Sequence, residues 1–201
     1  MTGQLLVEPI EAAVHLCVDM QRIFARGGVW ETPWMERVVP VVADVAARYA
    51  PSTIFTRFIT PEHPEQRPGR WQHYYRRWEA ALRPNLAPEQ LDLIPELQRL
   101  VPPAQVIDKP LYSAFKCSNL ASLLGERDVG TVVITGAETD VCVLATVLDA
   151  VELGFRVVLV EDALCSSSDP GHDALMTMYR TRYGQQIDLF DRDMLFDLWA
   201  P

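Results

Sequence analysis

Apolar residues come along this chain in two alternating rhythms. One is a set of short, nearly unbroken runs: Val14–Asp19 (VHLCVD), Ser52–Ile59 (STIFTRFI), Gln105–Asp108 (QVID), Thr131–Thr135 (TVVIT), Arg156–Val160 (RVVLV) and Gln186–Phe190 (QIDLF). Brief runs rich in β-branched residues, with no polar alternation, suit strands buried on both faces of a parallel sheet. The other rhythm is helical. It covers Trp34–Tyr49 behind Thr32 and Pro33, then Ser118–Leu124, Val141–Leu153 up to Gly154, and His172–Arg182. Thr-Pro before the first stretch and glycine after the third are ordinary helix start and stop signals. Strand–helix alternation predicts a doubly wound α/β fold, with a mainly parallel six-stranded sheet, right-handed crossovers and helices on both faces.

One stretch breaks the rhythm. Residues 60–95 carry six prolines together with Trp71, Tyr74, Tyr75 and Trp78. A long irregular segment after a strand end is a candidate lid or binding loop, and its aromatics equally suit a subunit interface. The chain of 201 residues is otherwise expected to be a single domain, residues 1–201, carrying this insertion.

Composition narrows the function. The net charge of -9 disfavours nucleic-acid binding, which needs a basic face. No apolar run reaches the roughly 20 residues of a membrane span. The start, MTGQLLVEPIEAAVHL, lacks the pattern of a secretory leader, so a cytoplasmic location is the expectation. The four cysteines form no CxxC pair, which argues against a zinc knuckle.

In an open parallel sheet, ligands bind beyond the carboxyl ends of the strands. Asp19 ends the first run, Lys109 follows the third, and Cys142 lies just past the fourth. Each alone has a duller reading: a turn former, a surface charge, a small core residue. Together they put an acid, a cation and a thiol on one sheet edge. Lys109 and Lys116 are the only lysines among 18 basic residues. Cys142 is expected in the first turn of a helix, where backbone N–H groups and the dipole favour a thiolate. Among the other cysteines, Cys17 falls inside a strand and Cys117 near a helix start. Cys165, flanked by three serines, reads as a loop residue near the pocket and is the chief rival. The wider pocket is expected to draw on Gln21, Phe24 and Trp30 after the first strand, and on Arg57 at the end of the second. Trp71, Tyr74 and Trp78 would come from the insertion, and Tyr112 and Phe115 from beyond Lys109. For Arg57 an ordinary ion pair is the competing reading.

The segments HLCVDMQRIF, DKPLYSAF and VVITGAETDVCVLATVLDAVELGFRVVLVEDALCSSSD resemble, in order and spacing, the signature regions of the isochorismatase-like cysteine hydrolase superfamily. The resemblance implies a triad of Asp19, Lys109 and Cys142. It also implies a cis peptide bond between Ala137 and Glu138, with an oxyanion hole formed by the backbone N–H groups of Glu138 and Cys142. It further implies a small-molecule substrate and a homodimer or homotetramer. The presence of Cys142 points to acyl transfer through a thioester rather than ether cleavage. The nicotinamidase branch carries zinc on an Asp-x-His pair and a further histidine. Here the corresponding region has His63 and His73 but no Asp-x-His, so no metal and no other cofactor is expected. What remains is the metal-free amidase branch, acting on carbamoyl, ureido or primary amide C–N bonds. An ether hydrolase, a nicotinamidase-type enzyme and a non-catalytic α/β binding protein are the alternatives. A dinucleotide-binding module is disfavoured, because no GxGxxG follows the first strand.

Overall fold

Six strands, all parallel, form one sheet in the order β3-β2-β1-β4-β5-β6. The computed structural model describes residues 8–200. Residues 1–7, part of the stretch read for a leader, and Pro201 lie outside the described residues. The strands are β1 (Ala13–Val18), β2 (Thr53–Phe58), β3 (Gln105–Lys109), β4 (Thr131–Ala137), β5 (Arg156–Cys165) and β6 (Ile187–Phe190). Every residue of β4 is buried, which explains its unbroken apolar run.

Alternation along each strand divides the core. Cys17 of β1 faces one layer while Val14, Leu16 and Val18 face the other. The first layer is covered by α1 (Met35–Arg48), α3 (Pro95–Gln98) and α7 (Arg192–Leu198). The second is covered by α4 (Leu120–Glu126), α5 (Leu144–Glu152) and α6 (Asp169–Arg182). Helix α1 owes its seat to Val38, Val42 and Val45, spaced three and four apart and turned inward. A buried valine stabilises by roughly 1.5–3 kcal/mol.

The sequence pattern locates every strand but shortens two. β4 continues through Gly136 to Ala137, and β5 continues five residues beyond Val160 to Cys165. The reason is local. β5 slips register against β4 between Ile134 and Gly136, so polar Glu161 and Asp162 can be accommodated within the strand. Cys165 is therefore a buried strand residue, not a loop residue. Helix α7 and the short helix α2 (Arg70–Arg77) were not legible in the apolar pattern. Between Pro64 and Leu91 the insertion also forms 3-10 turns at Pro64–Gln66, Glu79–Ala81, Arg83–Asn85 and Pro88–Leu91, held by short backbone hydrogen bonds. Among the described residues no helix is long and apolar enough to cross a membrane.

The strand order reverses between β1 and β4. The chain lays β2 and β3 on one side of β1, then returns to place β4 on the other. The crevice over the carboxyl ends of β1 and β4 is thus the topological switch point, where such sheets bind ligands.

Candidate active site

β1 and β4 approach unusually closely at their carboxyl ends. A Cβ on Gly136 would lie 2.1 Å from the carbonyl oxygen of Val18, and its φ of +112° suits glycine alone. Next come the cis bond between Ala137 and Glu138 and a five-residue π-turn, Thr139–Val143, that leads into α5. Thr139 pins this turn, its hydroxyl donating to the Cys165 carbonyl at 3.2 Å and meeting His172 Nδ1 at 2.9 Å. Asp140 Oδ1 accepts from the Ser166 hydroxyl at 2.6 Å. Cys142 thus sits in a π-turn ahead of the helix, rather than in the helix's first turn.

Asp19 follows β1 in the left-handed region, φ +51°. Its Oδ1 accepts from the Thr56 hydroxyl at 2.6 Å, and its backbone N–H donates to that hydroxyl's oxygen at 3.1 Å. Lys109 ends β3, two strands away, opposite Phe58 of β2. Its side chain crosses the Phe58 ring, with Nζ 5.0 Å from the ring centre, and reaches Asp19 Oδ2 at 2.7 Å. Both side chains are fully buried. Nζ also donates to the carbonyls of Leu111 at 3.1 Å and Tyr112 at 2.7 Å. Oδ2 meets the ammonium closely but takes no well-aligned hydrogen bond from it. The charges of both Lys109 and Asp19 act on the Cys142 thiol.

Burial pushes the Cys142 thiol well above its ordinary value; Lys109 pulls it down and Asp19 pushes it up. Burial thus opposes the thiolate that a helix terminus was expected to favour. For Lys109, burial opposes the charge, but Asp19 and Cys142 outweigh it and the net shift is upward. The lysine is a fixed cation.

Cys142 opens onto a cavity of about 520 Å³. Phe24, Trp30, Tyr74, Trp78 and Tyr112 line it, joined by Phe58, Glu138 and Ser167, which the sequence did not single out as wall residues. Trp30 is the hub, with ring centres 5.7 Å from Phe24, 6.1 Å from Tyr74 and 6.2 Å from Trp78. Four residues placed at the wall by sequence lie elsewhere. Gln21 is a buried brace, donating to the carbonyls of Phe58 and Leu91 and accepting from Phe58 N–H. Its short polar side chain is consumed in tying β2 to the insertion. Arg57 forms a two-pronged pair with Asp108 and a further contact with Asp92, because strand alternation turns it away from Thr56 and Phe58. Trp71 stands behind the wall, 4.6 Å from the Tyr112 ring. Phe115 stacks on Phe155 at 5.9 Å, in the α4–α5–α6 layer. No sequence signal marked Thr56, whose role arises only when β1 and β2 pair.

The rival thiols are sealed. Burial pushes both Cys17 and Cys165 upward, Cys17 to about 12. Cys117 is exposed. His15 is structural, bridging Thr53 at 3.0 Å and Thr135 at 2.8 Å. The zinc ligands of a nicotinamidase do not fit here. His63 and His73 are exposed, and among the described residues no three His, Cys, Asp or Glu side chains cluster to hold a metal.

Maleamate amidohydrolase of Pseudomonas putida is 33% identical over 82 residues, 41% of this chain and 38% of that protein. For the curated relatives at the head of the comparison, the matched stretch spans less than half of their own length, 47% and 38%. Among solved structures, the cysteine hydrolase of Pseudomonas syringae pv. phaseolicola superposes with a TM-score of 0.79 at 23% identity, covering 97% of this chain and 96% of its own. N-carbamoylsarcosine amidase of Thermoplasma acidophilum gives 0.73 at 25% identity, covering 90% and 96%. The Isochorismatase domain family model matches residues 13–190, from the first residue of β1 to the last of β6. A match that takes in the whole sheet and every residue of the switch point leaves one conclusion: the chain belongs to the isochorismatase family.

Proposed function

We propose that this protein hydrolyses a C–N bond of a small amide, carbamoyl or ureido compound through a thioester on Cys142. The observation that carries the reading is a thiol at the cavity surface, within the field of a fully buried carboxylate–ammonium pair. The names of two similar proteins, an amidohydrolase and an amidase, support the same chemistry.

Asp19 takes the thiol proton as Sγ attacks the carbonyl carbon. The carbonyl electron pair moves to oxygen, and the backbone N–H groups of Glu138 and Cys142 stabilise that oxyanion. One such donor is typically worth about 3 kcal/mol. The tetrahedral adduct collapses, and the C–N bond breaks as Asp19 returns its proton to the leaving nitrogen. Ammonia or an amine departs, leaving an acyl thioester. Water then attacks the thioester carbon while giving a proton to Asp19. Collapse releases the acid, and Sγ recovers its proton from Asp19. Lys109 holds Asp19 in place throughout. Burial disfavours the Cys142 thiolate, so a base beside the thiol lowers the cost of forming it.

The test is an ammonia-release screen over carbamoyl, ureido and primary amide compounds, with Cys142→Ala as the blank. Wild type should release ammonia from members of the panel, and the blank from none. Mass spectrometry of quenched wild type should find an acyl adduct on the Cys142 peptide. Undiminished turnover by a verified Cys142→Ala protein ends the covalent reading. The two lysines give a control: Lys109→Ala should be severely impaired, while Lys116→Ala should match wild type. Lys116 is exposed and meets Asp149 at 3.4 Å, far from this chemistry.

A further inference from the structure

The cavity wall carries charge of one sign. Among the described residues lining it, the charged side chains are Glu31 and Glu138, both acidic. Glu138 is held in place, its Oε1 accepting from Ser167 N–H at 2.9 Å and from the Thr32 hydroxyl at 3.4 Å. Glu31 is exposed at the rim, where its Oε2 accepts from Gly27 N–H at 2.8 Å. The nearest buried cation, Lys109, is already paired with Asp19 and bonded to the Leu111 and Tyr112 carbonyls. Arg57, the residue that sequence offered as a carboxylate partner, is spent on Asp108 and Asp92.

The remaining wall is aromatic. Trp30, Tyr74 and Trp78 form a contiguous surface, with Tyr74 and Trp78 ring centres 6.5 Å apart. Ring faces carry negative potential and attract a cation within about 6 Å. Burial raises the Tyr74 and Tyr112 hydroxyls most, and the charge of Glu138 adds the smallest of the contributions to each. A substrate carboxylate entering here would lose water beside two glutamates without gaining a counter-ion. A substrate ammonium would lose the same water and gain both glutamates and three rings.

We propose that this cavity selects an amide whose non-reacting end is cationic and rejects one whose non-reacting end is a carboxylate, with Glu138 and the Trp30–Tyr74–Trp78 wall as the specificity-determining groups. The turnover part rests on the amide-hydrolase reading of the same site; the binding part does not.

Three primary amides of matched length separate the two. They are 4-(trimethylammonio)butanamide, its neutral isostere 5,5-dimethylhexanamide, and the monoamide of glutaric acid. Binding to Cys142→Ala is measured by calorimetry, and kcat/KM by ammonia release from wild type. The trimethylammonium amide should bind at least about tenfold tighter than the neutral one, and the carboxylate amide should bind weakest. Glu138→Gln keeps an oxygen for Ser167 N–H and should shrink the cation-to-neutral binding ratio by about tenfold. Trp78→Leu, which leaves Glu138 untouched, should shrink it less. Cation binding without ammonia release upholds the charge selection and sinks the hydrolase reading. Ammonia release with no charge preference does the reverse. Absence of measurable ammonium binding, or tighter binding of the carboxylate amide, overturns the selection outright.

Discussion

Two ion pairs lie one residue apart on β3 and have opposite fates. Asp108 points out of the sheet and meets Arg57 of β2 at 2.7 Å; the two side chains are 50% and 27% exposed. Lys109 points the other way and meets Asp19 at the same 2.7 Å, with both side chains at 0%. Distance and chemistry are alike, yet burial differs completely. Water screens the first pair, so it contributes little. The second has been stripped of water, and its charges depend on one another and on the Thr56, Leu111 and Tyr112 contacts. A buried pair of this kind is a weak means of stabilising a fold. It is a strong means of fixing a carboxylate in one place.

The contrast is open to attack, beginning with the largest effect. Lys109→Met leaves Asp19 buried without its cation and should cost about 3–5 kcal/mol in urea unfolding, with turnover lost. A cost below about 1 kcal/mol would mean that Lys109 behaves as a surface charge. Adding Asp19→Asn to that variant removes the stranded charge while preserving an acceptor for the Thr56 hydroxyl. Asparagine also tolerates the positive φ. The double variant should recover most of the lost stability and none of the activity, a split that separates folding from chemistry.

His15 sharpens the comparison from the side of acid. Burial holds its folded pKa near 3, below the ordinary 6.5. Between those values the unfolded chain binds a proton that the folded chain refuses. Stability contributed by neutral His15 is therefore complete above pH 6.5 and is lost as pH falls towards 3, by up to about 1.4 kcal/mol per pH unit. Urea midpoints from pH 7 to pH 4 should show this slope in wild type and a shallower one in His15→Gln. Equal slopes would exclude His15 as the acid-sensitive group. Smallest of all, Arg57→Ala should cost no more than about 1 kcal/mol and leave turnover within a few-fold of wild type. A large loss of activity there would restore Arg57 to the substrate pocket.

The strands were readable because a strand buried on both faces has to be apolar wherever it runs, and that requirement is local to each segment. For the same reason Asp19, Lys109 and Cys142 stood out, each a polar or reactive residue at the end of an apolar run. The errors share a cause. β5 passes through Glu161, Asp162 and Cys165 because a register slip against β4 lets it continue, and a slip belongs to two strands at once. Gln21 and Phe115 were placed by sequence proximity to Asp19 and Lys109. One is used up bracing β2 to the insertion, and the other turns into the opposite layer. Thr56 went unnoticed, being one more β-branched residue in a strand until β1 is laid beside it.

By itself, then, the sequence determined the sheet, its helical layers and the strand ends that carry reactive groups, since hydrophobic periodicity and strand-end chemistry are written in neighbouring residues. Tertiary structure alone decided which aromatics face the cavity, which ion pair is dry, and that the charges on the cavity wall are negative among the described residues. Those properties depend on what lies across from a side chain, and the facing residues come from distant parts of the chain: Lys109 from β3 against Asp19 from β1, and Tyr74 and Trp78 of the insertion against Trp30.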